Sequence, residues 1–318
     1  MDAQQPDTFN VDNRATHAAR QKHAVFLDTD IGDDIDDALA LALILQSPEI
    51  ALQGVSTVFG DTAKRARLAA HLLRVFGRED MPVAAGISSP LQLRHRPSGV
   101  PQAAILDERE ILPAISPLSG PELLIQTALT HARQLTLICI GPLTNIATAL
   151  AIEPCINLAI GNIVMMGGSC GIPWAEWNVR SDARAARIVL ESGIPVTMVG
   201  LDVTMRCQLR TCDIERLRCS SSSQMQLLSK LIAVWQRHRP RGQSSLPYLH
   251  DPLAVAALCR PELFRFQKMM AKIVTRGPLK GYMVPRGMHG SWIEAAVDVK
   301  SGQARDWVMQ RLLAPAVL

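Results

Sequence analysis

The sequence predicts an α/β fold, a single domain in which a mostly parallel central sheet is flanked by helices. Three observations predict it. Short apolar runs alternate with longer helical patterns, the signature of βαβ units. Several of those runs end on Gly or Asp at the point where the chain must turn into a helix. No internal repeat or long linker divides the 318 residues, a length that one large domain can hold.

The elements follow in order. The first 23 residues are polar and mixed in charge with no apolar stretch, so they match neither a signal peptide nor a transit peptide. They read as a disordered leader (1–23), with the domain over 24–318. "AVFLD" (24–28) is a short apolar run closed by an acid, and the apolar sequence behind it predicts a helix over 34–46. "LQGVSTV" (52–58) and "PVAAG" (82–86) are the next strands, with a helix at 62–76 between them. The stretch 88–120, rich in Pro, Ser and Gly, breaks the alternation and reads as a long loop over the sheet's edge. The alternation resumes with a helix at 121–132 and the strand "LTLICIG" (135–141), then a helix at 143–151 and the strand "NIVMMGG" (162–168). A helix at 182–192 and the strand "IPVTMVG" (194–200) follow. Polar, helical composition marks an excursion over 203–250, and "IEAAVDV" and "ARDWVMQRLL" form a late strand and a closing helix.

Composition excludes several function classes. A net charge of +4 with scattered basic residues does not make a nucleic-acid surface, and the clusters at Arg94–Arg96 and Arg237–Arg241 read as solvated loops or helix ends. No apolar run reaches the roughly 18 residues of a membrane span. The seven cysteines form no C-x-x-C pair and are odd in number, which speaks against a disulfide framework or a zinc site and for a reducing cytoplasm.

The chemistry concentrates in "LDTDIGDDIDDALAL", where six of the ten residues from Asp28 to Asp37 are aspartate. Asp28 and Asp30 sit two apart at a strand end and share a face at the sheet's carboxyl edge, where open α/β sheets bind ligands. Asp33, Asp34, Asp36 and Asp37 follow in the turn and first helical turn. There, backbone N–H groups and the helix dipole favour negative charge by about 0.3–1 kcal/mol each. That accommodates one or two carboxylates, not six crowded together. A bound cation accounts for the rest, and oxygen donors without His or Cys at ligand spacing select a hard ion, Ca²⁺ or Mg²⁺. The stretch is no EF-hand, since counting from Asp28 the sixth position is Asp33 rather than Gly and the twelfth Leu39 rather than Glu. Asp-x-Asp after a first strand is also the nucleophile arrangement of haloacid dehalogenase-like phosphatases, which stay the alternative enzyme although the sequence shows no later strand-end acidic pair of the kind they require.

The same stretch resembles the N-terminal fingerprint of the inosine-uridine preferring nucleoside hydrolases, DTDPG, one residue, then DDA. Three further stretches resemble that family in its order: "GPLTNIATAL" (141–150), "VMMGGSCGIPWAEWNVRSDARAA" (164–186) and "HDPLAVA" (250–256). The resemblance implies a nucleoside hydrolase-like, Rossmann-like fold and Ca²⁺-dependent hydrolysis of the N-glycosidic bond of purine or pyrimidine ribonucleosides, in nucleoside salvage and catabolism. It implies Asp30 as general base and metal ligand, with Asp37, Asp251 and the Ile140 carbonyl as further ligands. His250 corresponds to the acid that protonates the leaving base. Asp36, Asp61, Met166, Glu176 and Asn178 fall at substrate-binding positions, and Asp28 at a supporting one. It further implies a cytoplasmic homodimer or homotetramer that binds a small nucleoside and neither nucleic acid nor membrane.

The sequence also departs from the family. Two residues are inserted between Gly32 and "DDA", so Asp33 or Asp34 can replace one of the later pair as a ligand. Ile31 stands for Pro, and Asp61 where Asn is typical. The usual Gly-Asn after "MGG" is absent, as is the loop His-Gly near 95–106. These departures fall on sugar and base recognition, and leave open a ribose- or nucleoside-binding protein without turnover on the same scaffold.

Overall fold

The computed structural model describes residues 22–92, 99–107, 109–112, 114–131, 133–240, 242–285 and 290–315. The predicted leader lies outside them up to residue 21, and β1 already includes His23. In chain order the first half runs β1 (His23–Thr29), α1 (Asp36–Leu45), β2 (Ile50–Thr57), α2 (Thr62–Val75), β3 (Val83–Ala85), α3 (Gly120–Thr130), β4 (Leu135–Cys139), α4 (Thr144–Ile152), α5 (Ile156–Ala159) and β5 (Ile160–Met166). The second half runs α6 (Trp177–Ser181), α7 (Ala183–Leu190), β6 (Val196–Val199), α8 (Leu201–Thr204), α9 (Thr211–Arg218), α10 (Ser223–His238), α11 (His250–Cys259), β7 (Phe264–Ile273), β8 (Met283–Pro285), β9 (Ser291–Val299) and α12 (Ser301–Leu312).

The strands form one nine-stranded sheet in the order β3-β2-β1-β4-β5-β6-β9-β7-β8. All neighbours are parallel except β7, which runs antiparallel to both β9 and β8. This is the predicted α/β domain with a mostly parallel sheet. The two apolar clusters lie on its opposite faces. Val25 and Leu27 of β1 point into one, with α1, α2, α10, α11 and α12, and Phe26 points into the other, with α3, α4, α5 and α7. α1 is buried from Asp36 to Ile44, as its "ALALALI" sequence, apolar on every side, requires.

Two features of the topology place the site. The chain leaves β1 toward β2 and β3 on one side and later returns through β4 on the other, so a crevice opens at the carboxyl ends of β1 and β4. The helices that follow β1 and precede β7 also meet there, because α1 packs against α11. The described residues of the expected 88–120 loop carry a short 3₁₀ turn at Pro101–Ile105, and α3 begins on the last of them, Gly120. All seven cysteines are free thiols. Among the described residues, no helix is long and apolar enough to cross a membrane.

Candidate active site

A cavity of about 690 Å³ opens at this crevice, floored by Asp30, Asp33, Asp34, Asp36, Asp37 and Asp251. Asp36 and Asp37 stand in the first turn of α1 and Asp251 in the first turn of α11, so two helix N-termini converge on the same point. Their dipoles favour the negative charge gathered there. One carboxylate oxygen from each of Asp36, Asp37 and Asp251 lies within 4.8 Å of the others, and all three residues are buried. Oxygens on opposite sides of a Ca²⁺ lie about 4.6–5.2 Å apart, so this spacing fits a hard cation.

Burial pushes the carboxyls of Asp36, Asp37 and Asp251 well above the ordinary carboxylate range, and their mutual repulsion pushes further. Thr29 Oγ donates to Asp37 at 2.5 Å, one of the contacts that resists this shift. Asp30 lines the same cavity but lies outside the triplet. Desolvation raises its carboxyl to about 7, against the pull of the Arg65 guanidinium. The cavity therefore brings together Asp30, Asp37, Asp251 and Ile140, the expected metal ligands, and adds Asp36 to the tightest group.

A second wall of the cavity comes from β5 and α6. Glu176 precedes α6, and its buried carboxylate accepts from the backbone N–H groups of Gly168 (2.9 Å), Asn178 (2.8 Å) and Val179 (3.1 Å). Burial raises its pKa and these donors lower it. The Asn178 amide donates to the carbonyls of Ile140 at 2.9 Å and Met166 at 3.2 Å, tying α6 to the ends of β4 and β5. The Ile140 carbonyl keeps a second lone pair for another partner.

His250 opens α11 beside Asp251. Its Nδ1 lies 2.7 Å from Thr204 Oγ and its ring stacks on Tyr248 at 5.3 Å. Burial depresses its pKa to about 4, so the imidazole is neutral at pH 7. Asp28 does not line the cavity. Its Oδ1 accepts from Ser56 Oγ (2.5 Å) and Asn145 Nδ2 (2.7 Å), Oδ2 has no partner, and burial raises the carboxyl to about 7.

One expected site residue is elsewhere. Asp61 is the N-cap of α2, accepting from the Lys64 N–H at 3.1 Å and pairing with the Lys64 ammonium, and it is not among the cavity residues. An acid just ahead of a helix is a capping signal, and the contacts of Asp61 are those of a cap. His95 lies outside the described residues.

Further residues complete the surroundings of the site. Asn145 bridges the Asp28 carboxylate to the Ile87 N–H. Trp174 and Trp177 stand at the cavity 60% and 57% exposed, with Arg180 and Arg239 nearby on its lining. Trp235 belongs to the core and also lines the cavity. Arg65 and Gln102 hold the aspartate loop from behind, and neither carries a motif that would have marked it.

With this geometry in view, the comparisons are decisive. Residues 25–308 match the family described as inosine-uridine preferring nucleoside hydrolase. The chain belongs to that family. This nucleoside hydrolase is 34% identical over 271 residues to the pyrimidine-specific ribonucleoside hydrolase RihA of Salmonella schwarzengrund, covering 80% of this chain and 85% of that one. It is 32% identical to the probable uridine nucleosidase 2 of Arabidopsis thaliana, over 83% and 86% of the two chains. Its fold superposes on the plant nucleoside hydrolase PpNRh1 with a TM-score of 0.82 at 27% identity, covering 92% of this chain and 99% of that structure.

Proposed function

We propose that the enzyme is a Ca²⁺-dependent ribonucleoside hydrolase that releases free base and ribose, with pyrimidine ribonucleosides as its preferred class. The observation that carries this reading is the convergence of buried carboxylates from two helix N-termini on one cavity that also holds Glu176, Asn178 and His250. The names of RihA and the Arabidopsis relative support the pyrimidine class. Asp37, Asp251, Asp30 and the Ile140 carbonyl would hold the calcium, with Asp36 available in place of Asp30. When bound, the cation supplies Lewis acidity toward water and compensates the charge of the acids.

The residues then divide the work. Asp30 takes the proton of the attacking water, as a carboxylate of the cavity floor that lies outside the tightest group of acids. Asp36, Glu176 and Asn178 hold the ribose hydroxyls, and Met166 packs on the sugar. Nearby carboxylates stabilise the oxocarbenium character that develops at the anomeric carbon. His250 is neutral in the free enzyme, so it protonates the departing base only after taking up a proton from solvent, an uptake that the negative charge growing on that base favours. Trp174 and Trp177 offer faces on which a base can stack. The protein acts in the cytoplasm, as a homodimer or homotetramer, in nucleoside salvage.

Incubation with uridine, cytidine and inosine tests the proposal by free ribose released. Ribose is expected from at least one of the three, and a chelator should stop its release until calcium is restored. Metal-replete protein inert on a broad panel of nucleosides would overturn the hydrolase reading, and turnover undiminished by chelation would overturn the calcium.

A further inference from the structure

We infer that Arg65 is a positioning residue for the aspartate loop, holding the backbone of Asp30–Asp33 from behind the cavity in the one shape that lets the loop's carboxylates converge with those of α1 and α11. The side chain rises from the first turn of α2, is fully buried at 0% exposure, and does not line the cavity. Its guanidinium serves four oxygens. Nε donates to the Phe59 carbonyl at 2.7 Å, Nη1 to the carbonyls of Asp30 and of Ile31, the latter at 2.9 Å, and Nη2 to Asp33 Oδ2 at 2.8 Å. Phe59 meets it from the left-handed region, at φ 68°, a costly conformation for a side chain of this size.

Gln102 completes the hold. Buried like Arg65, it donates its backbone N–H to the Gly32 carbonyl at 3.1 Å and its side-chain amide to the carbonyls of Asp34 at 2.6 Å and Asp33 at 3.4 Å. Every carbonyl from Asp30 to Asp34 is therefore taken by Arg65 or Gln102. Gly32 brings the loop backbone close against Val100. It sits at φ 122°, and a Cβ there would come within 2.2 Å of Val100. A loop carrying this much like charge spreads unless its backbone is pinned. A planar five-donor cation pins four acceptors at once, which the three donors on an ammonium's single nitrogen cannot do.

Two simpler roles make different predictions. A residue that is only a counter-charge opposes calcium, so its removal would tighten calcium binding. A residue that is only a core strut would lower Tm and leave calcium affinity and loop dynamics alone. A positioning residue loosens the loop and weakens calcium binding when it is lost, despite the favourable change in charge. The binding and kinetic readouts rest on the proposed calcium-dependent hydrolysis; the loop readout does not.

The experiment compares the wild-type chain with Arg65→Lys, Arg65→Met and Asp33→Asn. It follows hydrogen–deuterium exchange of residues 28–37 in calcium-free protein, calcium affinity by titration calorimetry, and kcat and KM on uridine. Exchange at 30–35 should rise in all three variants while peptides of β4 and β5 stay unchanged. Calcium affinity should fall about tenfold or more in Arg65→Met and less in Arg65→Lys, with the loss in kcat exceeding the change in KM. Asp33→Asn, whose carboxylate is 39% exposed, keeps the test alive if Arg65→Met does not fold. Unchanged loop exchange, or calcium bound as tightly as in wild type or more so, would overturn the inference. A wild-type chain that neither binds calcium nor releases ribose would overturn the functional reading instead, and loop exchange would still decide the role of Arg65.

Discussion

Asp251 concentrates the conflict built into the cavity. Its carboxyl is buried beside Asp36, Asp37 and Asp30, each of which makes it harder to ionise. The arrangement costs stability in the metal-free chain and is useful only when a cation is present. Asp251→Asn keeps the shape and removes one of the repelling charges. It should raise the Tm of chelated protein, by a gain of about 1–2 kcal/mol, while abolishing both the calcium-induced rise in Tm and ribose release. Scanning calorimetry with and without calcium, beside a ribose assay, checks both signs. A variant less stable than wild type in chelator would show that the carboxylate is satisfied by contacts other than a metal. The acids of this group were legible in the sequence because six in ten positions exceed what caps and dipoles can hold. Arg65 was not legible. In "TAKRARLAAHLLRV" it is one of several basic residues on an amphipathic helix, and only the fold decides which of them turns inward.

The site stands on element termini, the strand ends of β1, β4 and β5 and the first turns of α1 and α11. Those strands and α1 could be read from sequence because they are short buried runs closed by Gly or Asp. β7 could not, since "FRFQKMMAKI" mixes Arg, Gln and Lys into a strand that lies near the sheet's edge with one side toward solvent. α6 escaped too, having five residues and no apolar period. At Asp61 two readings of a terminus meet, since an acid after a strand resembles a ligand while its position before α2 makes it a cap. Asp61→Ala should lower stability by about 1 kcal/mol and leave the KM for uridine unchanged. A chemical denaturation curve and a saturation curve separate the two. A raised KM with unaltered stability would return Asp61 to substrate binding.

At the scale of the whole molecule, the acid cluster makes stability depend jointly on pH and calcium. Burial raises Asp28 and Asp30 to about 7 and pushes Asp36, Asp37 and Asp251 well up, whereas in the unfolded chain these groups titrate at their ordinary value of 3.8. Between those limits the folded state holds more protons than the unfolded one, so in chelator stability is greatest toward the unfolded pKa and is lost as pH rises through the folded values. His250, depressed from 6.5 to about 4, acts oppositely, because its contribution is present above 6.5 and is lost as pH falls toward 4. It stands against these five carboxyls and against Asp34 and Glu176, which burial also raises, and the carboxyls prevail. Calcium requires the deprotonated oxygens, so its affinity rises over the pH range in which the metal-free fold weakens. The Tm of chelated protein should therefore fall from pH 5 to pH 8. Calcium should add little at pH 5 and progressively more toward pH 8, where a hundredfold excess over Kd contributes about 2.7 kcal/mol and raises Tm by roughly 5 °C. Thermal unfolding at four pH values with and without calcium measures this crossing. An increment from calcium that does not grow with pH would mean that protons and metal do not compete for the same oxygens, and the cluster at the meeting of α1 and α11 would lose its role as the metal site.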